Sequence, residues 1–195
     1  MEFHITLTGT APLLMHNSQL ADPLSTAARS LKRLTGKRLK TEDDHMEIAR
    51  LEHFGSLYFD DVVGPYVPGE NITRCLIDAA AMTKRRKKVI SGMFISTDVN
   101  PLAYRGPRDP DGLWDDENFR YTHSVKIGQA RTMRTRPCFR EWRVAAEGIL
   151  DTNQLELSEL EDIATTAGLL IGLGDWRPRF GRFSATVERV KAVAA

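Results

Sequence analysis

A chain of 195 residues and 21.9 kDa has the length of one domain, which takes roughly 100–200 residues, and 42% hydrophobic with 27% charged residues excludes the composition of a disordered polymer. The longest apolar runs, such as Ala164 to Leu173, are interrupted by Thr and Gly and fall short of the roughly 20 residues that a membrane-spanning helix requires. A net charge of +1 singles out no partner, and Cys75 and Cys138 form neither a CxxC motif nor a disulfide framework.

The start, Met-Glu-Phe-His, runs directly into alternation of Phe3, Ile5 and Leu7 with His4, Thr6 and Thr8, the period of a half-buried strand. It carries no signal-peptide pattern, so a cytoplasmic protein with no membrane attachment is expected. Ser25 to Leu34 and Glu42 to Phe54 carry helical patterns on either side of the basic turn Thr35 to Lys40. Gly64-Pro65-Tyr66-Val67-Pro68-Gly69 punctuates strongly and excludes a helix. A helix then begins, with Ile72, Leu76, Ile77 and Ala80 at helical spacing, Glu70 near its N-terminus and the Lys84 to Lys88 cluster near its C-terminus, both signs favourable to the helix dipole.

Met93-Phe94-Ile95 starts a strand that Asn100-Pro101 is expected to break. Tyr104 to Pro137 has no sustained helical period: the acidic piece Gly106 to Glu117 reads as a loop, and Arg120 to Ile127 as a hairpin arm. Cys138 to Leu150 reads as one strand with Trp142, Val144 and Ala146 on one face. Ser158-Glu159-Leu160-Glu161 has the form of a capping box and opens a helix whose stripe is Ile163, Ala167, Leu170 and Ile171. Gly172 and Gly174 end that helix, and Phe183, Ala185 and Val187 alternate along a last strand. With two large insertions removed, residues 10–68 and 98–137, the order is βαββαβ, which predicts an α+β, ferredoxin-like (RRM-like) single domain with two helices on one sheet face.

Charge is unevenly distributed. Stretches 29–40, 84–88 and 126–143 hold six, five and six of the 27 Lys and Arg, whereas five acids fall between Asp109 and Glu117 and five between Asp151 and Asp162. Such polarisation points to a polyanion partner, against the alternative of separately solvated faces. The segment Gly172-Leu173-Gly174-Asp175-Trp176-Arg177-Pro178-Arg179-Phe180-Gly181-Arg182-Phe183 is neither a dinucleotide fingerprint nor a P-loop. Gly172, Gly174 and Gly181 free backbone N–H groups for a phosphate, Arg177, Arg179 and Arg182 supply phosphate-matching forks, and Trp176 and Phe180 offer stacking surfaces. The alternative is a tight helix-to-strand turn whose aromatics fill the core. Gly69, Glu70 and Asn71, at the start of a helix, form a second potential phosphate seat. The five histidines show no metal-ligand spacing; the carboxylates of Asp43, Asp44 and Glu47 read as an ion cluster or as a charged helix face. No nucleophile motif is present, so no cofactor or metal is expected, and the sole candidates for catalysis are His16 and Asp22.

The opening strand running into Gly9 to His16, the segment Gly64 to Arg74, similar to a "(I/V)PGSSIRG" helix start, and Gly172 to Phe183, similar to a "GxxRxxGxG" turn, together resemble the RAMP superfamily of CRISPR-associated proteins, in particular its small backbone subunits. Glu70 and Asn71 stand where that family has small hydroxyl residues, and Arg182 follows Gly181 where a glycine is common. The resemblance implies a first insertion packed on the sheet and a second, 98–137, projecting as a thumb that contacts neighbouring copies. It implies a non-enzymatic subunit that assembles head to tail along nucleic acid, RNA favoured over DNA, alone or with other effector-complex subunits. Arg74, Lys84, Arg85, Arg86, Arg131, Arg134, Arg136, Arg177, Arg179 and Arg182 are the expected phosphate contacts and Trp176 and Phe180 the expected base contacts. A nuclease using Asp22 or His16, and an assembly subunit without nucleic acid, are the rival readings.

Overall fold

The computed structural model describes residues 1–190, with Ile127 and Ala130 described by their backbone alone. In chain order the elements are β1 (Glu2–Gly9), β2 (Leu13–Leu14), α1 (Thr26–Thr35), α2 (Glu42–Ser56), β3 (Phe59–Asp60), β4 (Gly64–Pro68) and α3 (Gly69–Met82). They continue with α4 (Arg86–Gly92), β5 (Met93–Ile95), β6 (Val99–Ala103), α5 (Pro110–Asp115), β7 (Arg120–Ile127) and β8 (Ala130–Phe139). The last are β9 (Arg143–Leu150), α6 (Leu157–Thr166), a π turn at Ala167–Ile171, and β10 (Phe183–Arg189). The fold is α+β with antiparallel sheets. No helix of the described residues is long and apolar enough to cross a membrane.

The chain forms two compact units: the first from residues 1–13, 60–105 and 140 onward, the second from residues 14–59 and 106–139. In the first, the strands lie in the order β10-β1-β9-β6-β4, and β5 also pairs with β9. Every pairing is antiparallel, with Ile5 opposite Val187 on one side and Ala146 on the other. Phe3, Ile5 and Leu7 point to the buried face, and Ile72 and Leu76 of α3 and Leu160, Ile163 and Ala164 of α6 are likewise buried at 0–1% exposure. The opposite face carries exposed His4, Arg143, Ala145 and Glu147. This is the alternation expected of an antiparallel sheet with one packed face.

Several expected boundaries move for identifiable reasons. Gly64–Pro68, expected only to be non-helical, is the strand β4, and Asn100-Pro101 lies inside β6. Buried Asn100 donates its side-chain N–H to Val67 O at 3.0 Å and Thr97 O at 2.9 Å, and accepts from Thr97 Oγ1 at 2.6 Å, so its side chain ties the strands together beside the proline. Residues 98–105, expected within the second insertion, belong to the first unit, and the second unit resumes at Gly106. The run Cys138 to Leu150 is two strands, β8 and β9, because the chain changes unit at Arg140. α3 stops at Met82 and Lys84 adopts φ +61, so the basic cluster is split between a turn (Lys84, Arg85) and the first turn of α4 (Arg86 to Lys88). α6 begins at Leu157, with the Glu156 N–H donated to the Glu159 carboxylate at 3.2 Å, in place of the Ser158 cap. The π turn that follows adds a residue per turn and rotates the stripe, leaving Leu170 47% exposed.

The second unit joins most of both insertions. Within Gly106 to Glu117, expected as loop, Asp109 caps α5, accepting from Gly112 N at 2.8 Å with Pro110 at the first helical position. The β7–β8 hairpin packs along α2. His53 of α2 is fully buried, Nε2 3.2 Å from Phe119 O, with Trp114 edge-on at 5.5 Å. Burial pushes its pKa down to about 4.

A histidine with a folded pKa below its unfolded value contributes stability that is complete above about pH 6.5 and is lost as pH falls towards the folded value. His53 should therefore cost about 3 kcal/mol of stability between pH 6.5 and pH 4. Urea midpoints across that range check this: His53→Phe should flatten the slope, and a variant that keeps the wild-type slope contradicts it.

Candidate nucleic-acid interface

The helix α6 ends in a closed glycine turn. Gly172, Gly174 and Gly181 have φ of +78, +80 and +71, a region that L side chains rarely adopt. Leu173 N donates to Gly181 O at 2.8 Å, Gly181 N to Pro12 O at 2.8 Å and Gly172 N to Ala167 O at 2.8 Å. A Cβ on Gly181 would lie 1.7 Å from Leu173 O. Beneath the turn, the Cys75 Sγ–H donates to Gly172 O at 3.2 Å, and burial pushes its pKa up to about 12, so this thiol is a structural donor.

These bonds correct part of the phosphate seat. The N–H groups of Gly172 and Gly181 are used inside the turn, and the Gly69 N–H is donated to Asp98 O at 3.0 Å, with the Thr97 carbonyl 2.3 Å from where a Cβ would stand. Glu70 is exposed in the first turn of α3, where its charge already occupies the positive end of the helix. Gly69, Gly172 and Gly181 serve backbone closure.

What the turn presents outward is charge. Arg177, Arg179 and Arg182 are all exposed. Arg182 Nε donates to Pro178 O at 2.8 Å, and the Arg179 guanidinium lies 5.8 Å from the Phe180 ring centroid. Phe180 itself is 8% exposed, so it supports the turn from beneath and is not a stacking platform. Trp176 is half-buried at φ +50, a strained position for a bulky residue that costs about 1–3 kcal/mol. It lines a cleft of about 500 Å3 with Leu170, Ile171, Asp175, Arg177 and Pro178. At its wall, Asp78 pairs with Arg74 (Nε–Oδ1 2.9 Å) and Arg177 (Nη1–Oδ2 3.8 Å). The structure thus brings Arg74 and Arg177 together around a carboxylate that sequence reasoning did not single out, although the i,i+4 spacing of Arg74 and Asp78 was visible.

The other expected contacts divide. Arg85 lies 3.7 Å from Glu159 and 3.9 Å from Asp162, and Lys88 is 3.1 Å from Glu159. The Glu156 N–H and Lys88 hold the Glu159 carboxyl below its usual range. Arg85 is an internal tie, while Lys84 and Arg86 stay exposed. In the second unit Arg131 is exposed, Arg134 pairs with the carboxylate of buried Glu52, and Arg136 is 7% exposed with Nη1 donated to Thr135 O at 3.2 Å. Arg136 is therefore a core residue and no phosphate contact. The Asp22 carboxylate accepts the Leu24 N–H at 2.8 Å, and His16 Nδ1 is 3.5 Å from Ser56 Oγ. Among the described residues, no three His, Cys, Asp or Glu side chains converge as a metal site.

Against known proteins, neither a scan of family models nor a search of curated proteins found a match.

The turn makes a direct prediction. Gly181→Ala places a methyl against Leu173 O at positive φ and should destabilise the protein by about 2 kcal/mol or more, read as a lower urea midpoint. An unchanged midpoint would mean that the turn is not closed as described.

Proposed function

We propose that this chain is a non-catalytic, cytoplasmic, single-stranded nucleic-acid-binding subunit of the RAMP type, RNA favoured over DNA, built on a ferredoxin-like core and assembling head to tail. The core reading is supported by the strand order β10-β1-β9-β6, which, in βαββαβ numbering, places the fourth strand beside the first, then the third, then the second. The observation that carries the binding reading is the trio of exposed arginines, Arg177, Arg179 and Arg182, fixed on a closed turn beside Trp176 and its cleft. A rigid turn holds guanidinium groups in place before a strand arrives, which lowers the entropy lost on binding.

Assembly is supported by an apolar patch on the helix-free sheet face. Phe94 is 62% exposed and stands opposite Ile149, 50% exposed, with Val99 on the same face. Contiguous exposed apolar surface marks contact sites more often than isolated residues do. Nothing in the surroundings of Asp22 or His16 favours the nuclease reading, since the Asp22 carboxylate is occupied in its own turn.

The test is binding of a labelled single-stranded RNA over a salt series. Replacing Arg177, Arg179 and Arg182 together with alanine should reduce the slope of log affinity against log salt by about 2 units, at about 0.7 per phosphate for single strands. Folding should stay near wild type, because exposed charges contribute little to stability. Wild-type affinity and slope in the triple variant would refute the site, and a purely structural assembly subunit would bind no strand at all. Phe94→Asp with Ile149→Asp should lower the oligomeric state seen by light scattering, and an unchanged mass would remove the patch from assembly.

A further inference from the structure

The second unit holds a cleft that the turn does not account for. It lies between α2 and the β7–β8 hairpin and has a volume of about 710 Å3, within the range of about 300–1,000 Å3 typical of small-molecule sites. Its floor is polar and fixed. The Glu52 carboxylate, 2% exposed, accepts from Arg134 Nη1 through one oxygen and from Thr135 N at 2.8 Å through the other. A guanidinium carries five N–H donors, so Arg134 retains donors beyond the bond that orients it.

The walls are apolar. Met46 and Met133, 62% and 57% exposed, line the cleft with Ile48 and Ala49. Methionine is flexible and polarisable and packs well against flat rings. Two methionines exposed to this degree on a helix and a facing strand do nothing for the core of the unit. Lys40, His45, Arg131 and Glu42 also line it. The Lys40 ammonium donates to Lys37 O at 2.8 Å, which leaves two of its three donors. The lining therefore combines the cations Lys40 and Arg131, apolar Met46, Ile48, Ala49 and Met133, and a guanidinium oriented by Glu52.

We propose that this cleft holds one nucleoside monophosphate unit, with its phosphate at Arg131 and Lys40 and its base between Met46 and Met133 over Arg134. The unit belongs to a bound strand or to a free nucleotide. The strand is favoured because a second hollow, of about 340 Å3, shares Met46, Ala49, Thr122 and Thr135 with the first and runs on to Trp114, over which the Arg120 guanidinium sits at 4.6 Å. This deepens the nucleic-acid reading and, for the strand as source, rests on it. An acidic peptide would use these cations but has no flat body to place between the methionines.

Methyl-labelled methionine NMR on the full chain tests it, with adenosine 5′-monophosphate, inorganic phosphate and a single-stranded oligoadenylate as probes. The expected result is that the monophosphate shifts the Met46 and Met133 methyl signals while Met82 and Met93 stay still, and that Arg131→Glu weakens it at least tenfold. Because Met133 and Arg131 are exposed, Met133→Asp and Arg131→Glu should keep the wild-type thermal midpoint, so loss of binding is not loss of folding. If the oligoadenylate binds the wild type and both cleft variants alike, and only the turn arginines matter, the cleft inference fails while the binding reading stands. If inorganic phosphate competes as well as the nucleotide, the base slot is overturned. A nucleotide response without strand binding supports the cleft with a free nucleotide and fails the strand reading. Silence from all three probes overturns both.

Discussion

Gly181 and Leu173 meet backbone to backbone, with the Leu173 N–H donated to Gly181 O at 2.8 Å and no room for a side chain between them. The first unit is organised around this closure. It ends the helical face at the π turn, anchors the loop after β1 through the Gly181 N–H on Pro12 O, and delivers Phe183 into the start of β10. The N–H groups of Gly172 and Gly181 are spent internally and are closed to a ligand. What the turn offers is a rigid base for the side chains between them, and those are arginines.

Charge then divides the basic residues into two classes. Arg85 and Lys88 are tied to Glu159 of α6, and Arg134 to buried Glu52, so their charge is consumed within a unit. Arg179 and Arg182 on the turn, Arg131 on the hairpin, Lys84 before α4 and Arg86 at its start remain at the surface. The partly screened pair of Arg177 with Asp78 at 3.8 Å lies between the two classes. A near-neutral chain thereby keeps local positive surface for a polyanion.

The core of the first unit was legible because its strands alternate cleanly and its helices carry an apolar stripe: Phe3-Ile5-Leu7, Val144-Ala146 and Ile72-Leu76 read from sequence as they pack. The second unit was not, since it is assembled from two distant segments and its identity as one body lies in long-range contacts such as Glu52 with Arg134, which no local period records. The strand character of Pro65 to Pro68 was hidden because prolines argue against strands unless a neighbour such as Asn100 bonds through its side chain. Composition pointed to the glycine turn and its arginines, but not to burial, and so Phe180 and Arg136 read as ligand contacts when they are core. Met46 and Met133 carried no sequence signal, because an exposed methionine is recognised only once the facing strand is in place.

Ultraviolet crosslinking of the protein to a single-stranded RNA, followed by sequencing of the crosslinked peptides, tests the central claim most directly. The account predicts crosslinks in the segment from Gly172 to Phe183 and along the β7–β8 hairpin, and none in α6, whose acids repel phosphate. Crosslinks confined to α4 or to the open sheet face, or none at low salt, would contradict it.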